Sequence, residues 1–86
     1  MQNKSIIKNT FELGSYIRNC RKEQNLTLEQ VSGLSNFGIR FLSELERGKE
    51  TTELGKTLSV LESLGLELVV QPRHLGEVEV VSGKKR

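Results

Sequence analysis

The chain has 86 residues, 28% of them charged and 35% hydrophobic, with a formal net charge of +2. That length makes one small domain with a thin core, burying roughly 60% of its unfolded surface, so a second subunit would help it; the charge is too small for an indiscriminate polycation. The single cysteine, Cys20, excludes an internal disulfide and a cysteine-based zinc site, no apolar run approaches the roughly 18 residues of a membrane span, and Ile6-Ile7 is too short for a secretory leader.

Residues 1–9 read as a flexible N-terminal segment. A first helix is expected to begin near Asn9 or Thr10, with Glu12 favourably placed in its first turn. Leu13, Ile17 and Cys20 recur on one face, Tyr16 adjoins it, and Arg18, Arg21, Lys22 and Glu23 occupy the rest. The helix ends near Gln24-Asn25. Thr27 is an N-cap for a second helix reaching about Leu34. Ser35-Asn36 makes a turn, since asparagine tolerates the left-handed conformation. A third helix spans about residues 39–47 and Gly48 ends it. Thr51 and Thr52 are cap candidates for a fourth helix over 53–64, whose apolar stripe is Leu54, Leu58, Leu61 and Leu64, closed by Gly65. Residues 66–71 are short, partly β-branched and ended by Pro72, the only proline, so they read as a strand. Residues 73–86 read as a flexible C-terminal tail with a basic end.

A lone strand needs a partner for its backbone groups. Residues 77–81 alternate and offer a hairpin through 72–76; the alternative is pairing with the same strand of a second subunit. The dimer is the better expectation, because it also thickens the core, and its contacts would be Leu66, Leu68, Val69 and Val70 within a dimerisation strand over 65–72. The fold class is therefore all-α, a domain of four to five helices over residues 10–64 with a C-terminal β-strand pairing across a homodimer.

Residues 26–49, two short helices and a tight turn, have the form of a helix-turn-helix, which sets one helix in the DNA major groove. Val31, Phe37, Leu42 and Leu45 fall at its buried positions, and Ser32 where helices approach closely. Asn36 takes a turn position where glycine is usual, and Gly38 an N-cap where serine or threonine is commoner. The outward face is then Ile39, Arg40, Ser43 and Glu44. Arg40 suits guanine O6 and N7, Glu44 a cytosine N4 amine, Ser43 a base or a phosphate, and Ile39 a thymine methyl. Thr27, Asn36, Arg47 and Lys49, with Gly38 beside them, are placed for phosphates. The bland alternatives stay open: Arg40 as an ordinary exposed residue, Glu44 paired with Arg40 at i,i+4, and Arg47 and Lys49 as a solvated helix end. Phe41 lies beside the reading face and is expected to pack. Charge is uneven in the same sense. Residues 1–24 carry Lys4, Lys8, Arg18, Arg21 and Lys22 against Glu12 and Glu23, whereas residues 50–71 carry Glu50, Glu53, Glu62 and Glu67 against Lys56.

Residues 13–64 resemble the helix-turn-helix domain of the Cro and lambda-repressor class, through Leu26-Thr27, Val31-Ser32, Phe37, Leu42, Leu45 and Glu46-Arg47-Gly48-Lys49. The resemblance implies a lambda-repressor-like fold and a structural ion pair between Arg21 and Glu46. The continuation over 58–73, with its Leu-Gly-Leu-Glu-Leu-Val-Val run, is similar to the HipB-type antitoxins. That implies a strand pairing across the dimer, repression of the chain's own promoter at an inverted-repeat operator in double-stranded DNA, and a HipA-type kinase toxin as partner. Residues after Arg73 carry no resemblance.

The readings that compete are a free-standing phage- or restriction-control-type regulator without a kinase, and an interaction module that barely reads DNA; a neighbouring kinase gene separates the first from the antitoxin, and the basic reading face argues against the second. An enzyme is not expected: His74 is the only histidine, there is no aspartate, and the eight glycines form no phosphate loop. No cofactor, metal, membrane or small-molecule ligand is expected, and the chain is expected in the cytoplasm, with the nucleoid when bound to DNA.

Overall fold

The computed structural model describes residues 5–73. The possible hairpin strand 77–81, His74, residues 74–86 of the tail and the start of the N-terminal segment lie outside the described residues. Four helices follow one another: α1 Thr10–Glu23, α2 Leu28–Ser35, α3 Ile39–Glu46 and α4 Leu54–Ser63. α1 packs on α3, while α2 packs on both α3 and α4.

Two of the four helices begin with a side-chain cap. Asn9 caps α1, its Oδ1 accepting from the Glu12 amide at 2.8 Å, while the Glu12 carboxylate accepts from the Lys8 amide at 2.7 Å. Thr27 and Gln30 form a reciprocal capping box on α2: the Thr27 hydroxyl accepts from the Gln30 amide at 3.0 Å, and the Gln30 side chain accepts from the Thr27 amide at 2.8 Å. α3 and α4 begin without a side-chain cap. The cap expected from Thr51 or Thr52 therefore does not form. Glu53 holds that position, and the Thr52 hydroxyl instead donates to the Lys49 carbonyl at 2.7 Å, bracing the loop before α4.

The helix ends are more uniform. After α1, α3 and α4 the chain turns through a left-handed residue, Asn25 (φ 59), Gly48 (φ 90) and Gly65 (φ 78). In each case the following amide reaches back five residues: Leu26 to the Arg21 carbonyl, Lys49 to Glu44 and Leu66 to Leu61, at 3.1, 3.1 and 2.8 Å. These are Schellman endings, which satisfy carbonyls that a helix otherwise leaves open. α2 stops at Asn36, also left-handed at φ 69, its amide donating to the Ser32 carbonyl. The Ser32 hydroxyl donates to the Phe37 carbonyl at 2.7 Å and so ties α2 to the turn it leads into.

The core is Ile17 of α1, Val31 of α2, Leu42 and Leu45 of α3, and Val60, Leu61 and Leu64 from α4 and its cap. Gly14 lets α1 sit directly on α3: a Cβ there would meet the Leu45 and Glu46 carbonyls closer than real Cβ contacts allow. The α4 stripe differs from expectation. Leu61 and Leu64 are buried, but so are Thr57 and Val60, while Leu54 and Leu58 are exposed. The helix is rotated so that Thr57 faces in, which its hydroxyl tolerates by donating to the Glu53 carbonyl at 2.9 Å.

Residues 66–71 form no strand ladder in the single chain, because no second strand lies beside them among the described residues. Leu66 is partly buried on the chain's own core, the apolar contact that accompanies a Schellman ending, whereas Leu68, Val69 and Val70 are exposed.

Candidate nucleic-acid interface

With Leu42 and Leu45 buried, the helical period turns Arg40, Ser43, Glu44 and Arg47 outward and leaves Ile39 at the edge of that face. The Arg40 side chain is 90% accessible, and that of Glu44 only 24%. These side chains are engaged with one another. The Arg40 Nε lies 3.3 Å from Glu44 Oε2, the Lys49 Nζ lies 3.1 Å from Glu44 Oε1, and an Arg47 guanidinium nitrogen donates to the Ser43 hydroxyl at 2.6 Å. The hydrogen bond from Lys49, then that from Arg40, holds the Glu44 carboxyl below the usual carboxylate range, against the opposing effect of partial burial.

The i,i+4 pairing of Arg40 with Glu44 is thus present, and Lys49 joins it. The Schellman turn makes this possible, because Gly48 folds Lys49 back over the last turn of α3. A Cβ on Gly48 would lie 2.7 Å from the Phe11 Cα, so this turn also fixes where α1 begins. Thr10 completes the junction, its hydroxyl donating to the Gly48 carbonyl at 2.9 Å.

Arg21 and Glu46 lie on the other side of α3. The Arg21 Nε and a terminal nitrogen donate to the two Glu46 carboxylate oxygens at 2.7 and 3.0 Å, and the third nitrogen donates to the Leu26 carbonyl at 2.8 Å. Both side chains are nearly buried, 10% and 8% accessible. The hydrogen bonds to Glu46 push the Arg21 guanidinium still higher than its ordinary value. Its donors are turned inward, so Arg21 adds no free cation to the outward face.

Thr27, at the start of α2, and Asn36 and Gly38, in the turn after it, are exposed. The Thr27 hydroxyl is occupied by its capping box. Gly38 has φ −68, an ordinary backbone, and a Cβ there would meet nothing; its effect is to leave the first amides of α3 without a side-chain acceptor. Phe41 packs, its ring 5.6 Å from that of Phe37 at 58°, and the Lys56 ammonium lies over both rings at 5.5 and 5.8 Å.

Two members of this region were missed in the sequence. Gln30 was legible, since threonine followed three residues later by glutamine is a capping-box signal. Lys56 was not, because its place over the aromatic pair depends on how α4 packs. Among the described residues, no three His, Cys, Asp or Glu side chains come together as a metal site, and no helix is long and apolar enough to cross a membrane.

The chain is 42% identical over 62 residues to the "Uncharacterized HTH-type transcriptional regulator y4mF" of Sinorhizobium fredii (strain NBRC 101917 / NGR234), a match covering 72% of this chain and 82% of that protein. No protein-family model matches. Among solved structures, the "HipB-O4 20mer complex" and the "Structure of HipA-HipB-O2-O3 complex" each superpose with a TM-score of 0.77 at 17% identity, covering 83% of this chain and 100% of the matched chain. At that identity the likeness is one of fold.

Proposed function

The chain belongs to the helix-turn-helix type transcriptional regulators, and from that premise we propose that it is a DNA-binding repressor, working as a homodimer on an inverted repeat upstream of its own gene, and the antitoxin partner of a HipA-type kinase. The observation that carries the DNA reading is the solvent face of α3. Arg40 projects there almost wholly into solvent, with Arg47 and Lys49 beside it, while the opposite side of the helix is bound to the core. A helix anchored in this way can enter a major groove as a rigid body.

Arg40 is the residue proposed to read a base, with Ile39 and Ser43 beside it. Asn36, Arg47, Lys49 and the backbone at Gly38 are proposed to hold phosphates, while Thr27, its amide and hydroxyl both engaged with Gln30, is proposed to fix the start of α2 beside them. The dimer is supported by what the single chain leaves uncovered: Leu54 and Leu58 on one side of α4, and Leu68, Val69 and Val70 beyond it. The kinase is carried over from fold likeness to HipB chains, one of which comes from a complex with HipA, together with the resemblance of residues 58–73.

The test is titration of the purified protein onto DNA from upstream of its own gene, against scrambled DNA of equal length, at two salt concentrations. Binding to the native DNA alone, in steps of one dimer per inverted repeat, is expected. Equal, salt-sensitive binding to both would remove the autoregulation. Co-purification with the product of an adjacent kinase gene tests the antitoxin role, and its failure would leave a regulator without a kinase.

A further inference from the structure

We propose that Glu44 is a specificity-determining residue of the α3 face, whose carboxylate holds Arg40 and Lys49 away from phosphates and releases them only on DNA that offers it a donor, a cytosine N4 amine. The inference rests on the DNA-binding reading above.

The geometry is that of a clamp. Glu44 uses one carboxylate oxygen for Arg40 and the other for Lys49. It also holds Lys49 through the backbone, since its carbonyl accepts from the Lys49 amide at 3.1 Å. The ammonium and the amide of one residue are thus bound to the two ends of another. Lys49 is half-exposed and Arg40 almost fully so, while Glu44 lies beneath them.

The helix dipole does not favour a carboxylate here. Glu44 sits in the second half of an eight-residue helix, near the negative end of the macrodipole, where acidic side chains are disfavoured. Nor does core packing, since Leu42 and Leu45 already fill the inner face. What Glu44 does is neutralise. Without it the outward face would carry Arg40, Arg47 and Lys49 with no opposing charge.

On DNA the carboxylate acts differently according to sequence. Phosphates repel it, so on any DNA the gain from Arg40 and Lys49 is reduced by the carboxylate held between them. A cytosine amine in the groove satisfies Glu44 and frees both cations, one toward a base and one toward the backbone. The penalty on incorrect DNA is built in by an unfavourable charge, and the correct sequence removes it.

The experiment compares wild-type protein with Glu44→Gln and Glu44→Asp on a duplex selected from random sequence by the wild type and on a scrambled duplex, across a salt series. Glu44→Gln is expected to bind scrambled DNA roughly three- to tenfold more tightly at low salt, with the salt slope steeper by about one, as one further cation meets a phosphate. Its preference for the selected duplex is expected to fall, and the cytosine requirement at one position to disappear. Aspartate, which keeps the charge, is expected to restore weak binding to scrambled DNA. In a Lys49→Gln, Arg40→Gln background, Glu44→Gln is expected to change the slope little. An unchanged slope and an unchanged preference in a folded Glu44→Gln protein would overturn the proposal while leaving DNA binding intact. If the wild type selects no sequence and binds no duplex, the parent reading fails and this one with it.

Discussion

Replacing Arg21 by alanine would leave the Glu46 carboxylate nearly buried with no cation and the Leu26 carbonyl without its donor. A change that breaks one side of a buried pair costs roughly 3–5 kcal/mol, so Arg21→Ala is expected to lower the urea midpoint by most of what a domain this small possesses. Joint replacement by methionine and leucine should cost far less, and a double-mutant cycle would measure the difference. Gly14 makes the opposite point, that a residue can matter for what it lacks. Alanine favours helix over glycine by about 1 kcal/mol, yet Gly14→Ala should destabilise by about 1–3 kcal/mol, because its methyl group collides with two carbonyls of α3. A rise in melting temperature would show that α1 can slide on α3. Glu44 supplies a pH dependence. Its folded carboxyl titrates lower than the unfolded one, so its contribution to stability is present above the ordinary carboxylate range and is lost as pH falls through the lowered value. Glu44→Gln should therefore show a flatter stability curve in that acid window, measured by thermal melts.

At the scale of elements, most of the fold was legible because its helix ends are encoded locally. Asn9, Thr27, Gly48 and Gly65 announce starts and stops through their own hydrogen bonds or backbone angles. What could not be read was rotation about a helix axis. The spacing of Leu54, Leu58, Leu61 and Leu64 promised one buried stripe, but packing against α2 selected Thr57 and Val60 with Leu61 and Leu64. A threonine whose hydroxyl can return to its own backbone looks polar in sequence and behaves as apolar in the core. The outward face of α3 was readable as a set of positions, yet the Arg40–Glu44–Lys49 triangle was only half legible, because Lys49 belongs to it through the turn after the helix. Gly33, in the middle of α2, has nothing near where its Cβ would be. Gly33→Ala should stabilise the domain by about 0.5–1 kcal/mol, seen as a raised urea midpoint with unchanged slope.

The whole molecule exposes more than it should keep exposed. Leu54 and Leu58 lie four residues apart on one side of α4, and Leu68, Val69 and Val70 are exposed in succession. In an extended segment successive side chains point to opposite faces, so both faces of 68–70 are apolar. A second copy that pairs with this segment and covers α4 would remove the whole set from water, and it would supply a partner strand that is absent among the described residues of one chain. Val69→Pro should then convert dimer to monomer in sedimentation experiments, since proline gives no amide to a ladder. A variant that remains dimeric would place the contact on α4 instead.

One junction joins the folded domain to that segment. The Gln24 side chain, at the end of α1, donates to the Leu64 carbonyl at 2.9 Å, and Gly65 turns the chain out of α4 while Leu66 bonds back to Leu61. The direction in which the chain leaves the domain is therefore fixed from two sides. In a dimer joined through residues 66–71, that direction is a ruler: it sets how far apart the two α3 helices stand and how they are angled. The number of base pairs between two half-sites would then be written in a glutamine and a glycine that lie outside α3.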